Sequence, residues 1–318
     1  MHDMNINRIF LIALAVLSLS ACHKNNPDSA RKDNAINVTA DVLDQATRSG
    51  YDAQSLPAKF YLTLIQDEND LESGYNYLNE EMIKGENNDY ATATGAALVW
   101  MDKDHSYVKA NAYTTADDVF SVLEDQTSEV NLKKSDLLGA AGQDMAIEAD
   151  NLNVNFRHML CKLDVAFIWD EAITAEHKQV TSVVYSGFGV DVSLDRDEAV
   201  VDEGKETGDI HALLNHNNEN NTCLAEAVFA PQTSDMAILI KARIGTSDKE
   251  YKLDLLPPAD GFEVGNSYTI NVKISKEVVY FEATPTLKDW EVENQLDFTK
   301  KKTVVFSAST DNSATEVK

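Results

Sequence analysis

The chain has 318 residues, with 27 Lys+Arg against 53 Asp+Glu and a formal net charge of −26. Hydrophobic residues make up 43% and charged residues 25%, which supports a buried core and excludes a disordered polar chain. The charge excludes nucleic acid and anionic lipid headgroups as electrostatic partners, and the length makes two domains the default.

Residues 9–21 read IFLIALAVLSLSA, an apolar run of 13 residues preceded by Arg8. A bilayer span needs about 20 residues, so this run fits the apolar region of a secretory signal over residues 1–21. It ends in Leu19-Ser20-Ala21-Cys22, which resembles a bacterial lipobox. Such a signal implies cleavage before Cys22, lipidation of its thiol and acylation of its new amino group. Three acyl chains exceed the two-signal requirement for stable anchoring, so a membrane-tethered extracytoplasmic protein is expected. Two cysteines then remain. An oxidising compartment permits a Cys161–Cys223 disulfide; two buried free thiols in separate strands is the other reading.

Residues 22–35 are polar and contain Pro27, as a flexible tether does. Residues 36–43 (INVTADVL) place Ile36, Val38, Ala40 and Val42 on one parity, a short strand, and 44–50 read as an exposed loop. Lys59 to Gln66 is the next strand. The polar stretch 67–90 is expected to hold a short helix, 97–101 and 106–113 strands, and 131–142 a helical turn or a loop over the sheet. Leu152 to Trp169 is the longest strand-like run, and its apolar parity changes midway: Leu152, Val154, Phe156 and Leu160 are even, Leu163, Val165, Phe167 and Trp169 odd. A switch of parity marks a bulge or a strand that leaves one core for another, here the meeting of domains 36–150 and 151–295. Strands follow at 180–185, 188–194, 223–230, 236–243, 251–256, 267–274, 278–283 and 303–308, with an acidic loop at 195–209. Many short strands without a βαβ rhythm indicate an all-β chain of antiparallel sandwiches.

Chemistry is sparse. None of the seven histidines sits at a zinc-ligand spacing, and no nucleophile elbow, P-loop or dinucleotide fingerprint occurs. The acidic clusters at 191–203 and 67–70 do not follow a calcium-loop pattern, so solvated loops are expected. No cofactor, metal or catalytic residue is assigned, and the chain is read as not an enzyme.

Several motifs in order resemble the fimbrillin family, the lipoprotein pilus subunits of Bacteroidetes, in its Mfa-like branch. Phe156-Arg157-His158-Met159-Leu160-Cys161-Lys162-Leu163 resembles the family's F-x-H-x-x-x-K-L run, and Pro231-Gln232-Thr233 its P-Q-T turn. Phe262 to Ile270 resembles the F-x-x-G-x-x-Y strand opener, and Leu287-Lys288-Asp289-Trp290 the late tryptophan. The resemblance implies two transthyretin-like antiparallel β-sandwich domains, export to the outer membrane through a lipid on Cys22, and assembly with other subunits into a fimbrium that serves adhesion. It further implies an arginine-specific protease cutting between Arg48 and Ser49, loss of strand 36–43, and refilling of the groove by a strand of the next subunit. The tail 296–318 offers residues 302–308 as a donor strand, or as a strand pairing within its own domain. A monomeric outer-membrane lipoprotein that binds glycans is the alternative function.

Overall fold

The computed structural model describes residues 34–43, 50–52, 54–175, 177–202, 205–217, 221–281, 286–289 and 315–316. Alternation of apolar and polar side chains sets the first strands. In β1 (Asn37–Val42) Val38, Ala40 and Val42 are buried while Asn37 and Asp41 face solvent; in β2 (Lys59–Ile65) Phe60, Leu62 and Leu64 are buried completely. Then come β3 (Tyr77–Lys84), β4 (Asp89–Thr92), β5 (Lys109–Tyr113), β6 (Val119–Ser121), the helix α1 (Glu129–Lys134), β7 (Leu138–Ala141), β8 (Met145–Glu148) and β9 (Asn151–His158). All these strands except β6 form one sheet in the order β1-β4-β3-β2-β5-β7-β9-β8, and a further pairing of β1 with β9 closes the path into a ring. Phe60 sits at the centre of the enclosed core, its ring 4.7 Å from that of Tyr90 and 5.2 Å from that of Phe156. The expected helix within 67–90 is absent, because this stretch forms β3 and begins β4; only Met82 of β3 is buried, so the strand reads as polar. Residues 97–101 form no strand, only a bridge between Ala35 and Val99. The helix α1 starts where the Ser128 hydroxyl accepts from the Asn131 amide at 3.3 Å, and it turns Leu132 inward.

The second part of the chain is built from β10 (Cys161–Trp169), β11 (Lys178–Gly189), β12 (Asp191–Asp195), β13 (Val200–Asp202), β14 (Thr207–His211), β15 (Leu213–Asn217), β16 (Thr222–Phe229), β17 (Met236–Ile244), β18 (Ser247–Leu255), β19 (Asn266–Ile274), β20 (Val279–Phe281), β21 (Thr286–Asp289) and β22 (Thr315–Glu316). One sheet runs β15-β16-β10-β19-β20, with β21 also on β19; another runs β14-β11-β17-β18-β22. They share a second core, and the Tyr185 hydroxyl donates across it to the carbonyls of Leu163 (3.3 Å) and Ala225 (3.0 Å). The parity change falls at the passage between cores: β9 buries Leu152, Val154 and Phe156 in the first, β10 buries Leu163, Val165 and Phe167 in the second. Along this run the chain changes core between Phe156 and Met159, at the end of β9. The sheets are not purely antiparallel, since β1 runs parallel to β9 and β10 parallel to β19.

Several contacts among the described residues tie the two parts together, three of them as follows. β6 leaves the first part to pair with β12. The buried amide of Gln126 donates to Val228 O at 2.7 Å and accepts from Val228 N at 2.9 Å, acting as one residue of a strand beside β16. Tyr113 donates to Arg196 O at 2.7 Å, with the Arg196 guanidinium 5.1 Å from its ring centre. The Cys161–Cys223 disulfide does not form. Cys161 pairs with Phe229 and Cys223 with Phe167, six positions apart on β10 and β16, or roughly 20 Å, far beyond the span of a disulfide. Both are buried free thiols.

Candidate functional site: the closing strand

The first part of the molecule depends on one short strand for closure. β1 pairs with β9 from Asn37↔Asn151 to Val42↔Phe156, and on its other side Val38 and Thr39 pair with Tyr90 and Asp89 of β4. Bonds beyond the ladder hold both ends: Ile36 N donates to Leu98 O at 2.9 Å, and Leu43 N to Phe156 O at 2.9 Å. The Thr39 hydroxyl donates to the Asn153 side chain on β9. Burial of Ile36, Val38 and Val42 contributes roughly 1.5–3 kcal/mol for each side chain relative to exposure, and Ala40 adds less. Without β1, β9 would present one unpaired edge from Asn151 to Phe156 above an open core, while β8 still holds its other edge from Asn151 to Val154.

The chain from Gly50 onward is anchored beside the same strand pair. Gly50 is buried with φ +107°, a left-handed conformation suited to glycine. The next residue, Tyr51, donates its amide to Asp136 Oδ2 at 3.2 Å. The other oxygen of Asp136 lies 2.9 Å from His158 Nδ1, and both side chains are fully buried. Burial, then the Asp136 carboxylate, raises the Tyr51 phenol above its ordinary range. His158 is thus part of the closure, at the end of β9 that faces the end of β1. The expected modification sites Cys22, Arg48 and Ser49, and the donor candidate 302–308, lie outside the described residues.

The other motif residues converge where β10 begins. Lys162 is buried, with Nζ 2.8 Å from Glu226 Oε1 and 3.2 Å from Asp164 Oδ1. Burial pulls its ammonium down, but the two carboxylates outweigh that and hold it above the usual lysine range. The side chain of buried Gln232 accepts from Gly189 N, and its main-chain carbonyl accepts from Phe262 N at 2.9 Å. Phe262 packs edge-on to Phe229 (5.1 Å) and Tyr268 (4.7 Å). Gly265 N donates to Leu160 O at 3.0 Å, and the Cys161 thiol to Glu263 O at 3.0 Å. Among the described residues no group of His, Cys, Asp and Glu is placed to hold a metal ion, and no helix is long and apolar enough to cross a membrane. Sequence reading missed Asp136 and Tyr51, which carry no spacing signal because they meet only through the fold.

Residues 47–290 match a family described as fimbrillin-like. No curated protein sequence matches. The fold is similar to that of a candidate cell adhesion protein from Bacteroides uniformis, with a TM-score of 0.54 and 20% identity over 83% of this chain and 100% of that one. A candidate cell adhesion protein from Bacteroides fragilis matches with a TM-score of 0.47 and 12% identity, over 83% of this chain and 100% of that one. The fimbrial anchor protein Mfa2 from Porphyromonas gingivalis matches with a TM-score of 0.34 and 12% identity, over 81% and 100%. The family match spans most of the chain and includes the motif residues that knit β9, β10 and β19 together, and the chain belongs to the fimbrillin-like family.

Proposed function

We propose that this chain is a structural subunit of a fimbrium on the bacterial surface, exported as a lipoprotein through Cys22 and polymerised by strand exchange. In this reading its two sandwiches are transthyretin-like, and the assembled fimbrium supports adhesion. An arginine-specific protease cuts between Arg48 and Ser49 and frees the segment that carries β1. The tail around residues 302–308 of another subunit then fills the slot. The observation that carries this reading is the position of β1: one short N-terminal strand closes the ring and covers the core, between two neighbours that remain covalently joined without it. An incoming strand must run parallel to β9 and antiparallel to β4, as β1 does. A subunit that kept its lipid and stayed uncut would serve as the anchor.

The test treats the chain lacking residues 1–21 with an arginine-specific protease. N-terminal sequencing is expected to find Ser49, and size-exclusion chromatography to find growing oligomers. Arg48→Ala is expected to abolish both. Cleavage elsewhere, or a Ser49 product that stays monomeric at high concentration, would remove the basis for the stalk role.

A further inference from the structure

Resting on the strand exchange read above, we infer that the slot of β1 accepts residues 304–310 of a second copy of this chain in one register. Val304 takes the place of Ile36 and Thr310 that of Val42, and the place of Ala40 is the position that selects.

The slot sorts side chains by size along its length. Ile36, Val38, Ala40 and Val42 point into the first core, and all four are buried. Val38 lies opposite Leu152 of β9 and Tyr90 of β4, and Val42 opposite Phe156. The rings of Tyr90 and Phe156 both pack on that of Phe60. Ala40 falls between these two ring-bearing places, opposite Val154, and is 5% exposed although it carries only a methyl group. A larger side chain there pushes into a core already filled, and overpacking of this kind is destabilising. The other face of the strand adds one polar condition. Thr39 lies opposite Asn153 and its hydroxyl donates to the Asn153 side chain, whereas Asn37 and Asp41 face solvent. A fitting strand therefore reads large, free, large, hydroxyl, small, free, β-branched.

The sequence beyond β21 holds one window of this kind. Val304-Val305-Phe306-Ser307-Ala308-Ser309-Thr310 sets Val304 and Phe306 at the large places, Ser307 at the hydroxyl, Ala308 at the small place and Thr310 at the last. Phe306 exceeds Val38 in size, and its ring comes beside Tyr90, where edge-on aromatic contact is favourable. Ser307 brings a hydroxyl to Asn153, as Thr39 does. The window from Leu296 begins in the same way, with Phe298 and Thr299, but it carries Lys300 to the place of Ala40 and Lys302 to that of Val42. Two ammonium groups would then be buried without partners of their own charge class, at high cost. A slip of the favoured window by one residue turns Ser307, Ser309 and Asp311 into the core. Size at one place and charge at another thus fix both the segment and its register.

The experiment grafts the tail sequence into the uncut chain lacking residues 1–21, so that it needs neither protease nor polymer. The first graft combines Ile36→Val, Asn37→Val, Val38→Phe, Thr39→Ser, Asp41→Ser and Val42→Thr, and keeps Ala40. The second carries the same sequence slipped by one residue: Ile36→Val, Asn37→Phe, Val38→Ser, Thr39→Ala, Ala40→Ser, Asp41→Thr and Val42→Asp. The first graft is expected to fold and to unfold about 5 °C or more above the second. Ala40→Leu added to the first graft is expected to lower its unfolding temperature by about 5 °C. Failure of the first graft to fold, equal stability of the two grafts, or no loss with Ala40→Leu would each overturn the register. In the protease-cut protein Ala308→Leu is expected to slow oligomer growth about tenfold. Growth at the parent's rate would overturn the choice of segment. Should the cut parent itself fail to grow, strand exchange falls as a reading, and the grafts still decide which sequence the slot accepts.

Discussion

Lys162 and Glu226 are each about 1% exposed, and they meet at 2.8 Å between the neighbouring strands β10 and β16. A buried pair of this kind contributes little net stability when intact, yet removal of one member strands the other charge. Lys162→Met is therefore expected to lower unfolding stability in urea by about 3–5 kcal/mol. The double variant with Glu226→Gln should recover part of that loss, because the fully buried Glu226 charge is gone and the Asp164 carboxylate that remains is 18% exposed. The thiols make a second residue-level prediction. Burial raises the Cys161 thiol well above its ordinary value and pushes Cys223 up to about 12, so neither ionises near neutrality. In a Cys22→Ser chain, Ellman's reagent should find no fast-reacting thiol in the native state and two after denaturation. The cysteine count and an oxidising compartment leave the pairing open, and strand register resolves it: Cys161 and Cys223 lie on neighbouring strands but at opposite ends of the paired segment.

Among the elements, β1 was legible in the sequence because Ile36, Val38, Ala40 and Val42 alternate with polar residues and all four are buried. Its neighbours were not legible, since period-two alternation reports which face is covered and says nothing of the partner strand. That it lies parallel to a strand more than a hundred residues away is visible only in the fold. β3 was missed for the opposite reason: Asn79, Glu80 and Glu81 leave no apolar stripe on a strand of which only Met82 is buried. A test belongs at this scale. Val38 is 2% exposed, and Val38→Asp would bury a carboxylate against the first core. Native-state hydrogen exchange of this variant should show faster exchange at Asn151–Phe156, while amides of β17, which lies in the second core, keep their protection. Uniform acceleration in both regions would show that β1 is no separable unit.

For the molecule as a whole, the motifs that carry the family resemblance are structural. His158, Lys162, Gln232, Phe262 and Gly265 surround the passage from β9 to β10, where the chain leaves one core for the other. That explains why motif reading identified the family while leaving the surface chemistry unread. The parallel contact between β1 and β9 also constrains the order of events in a newly made chain. Thr39 precedes its partner Asn153 by 114 residues, so synthesis delivers β1 long before there is anything for it to lie against. The hairpin of β2 and β3 can form while β9 is still being made, because local contacts form before distant ones. Every nascent molecule thus passes through an interval with a vacant berth, during which its own leading segment competes with any foreign edge within reach. The segment already attached has the advantage, by virtue of its local concentration.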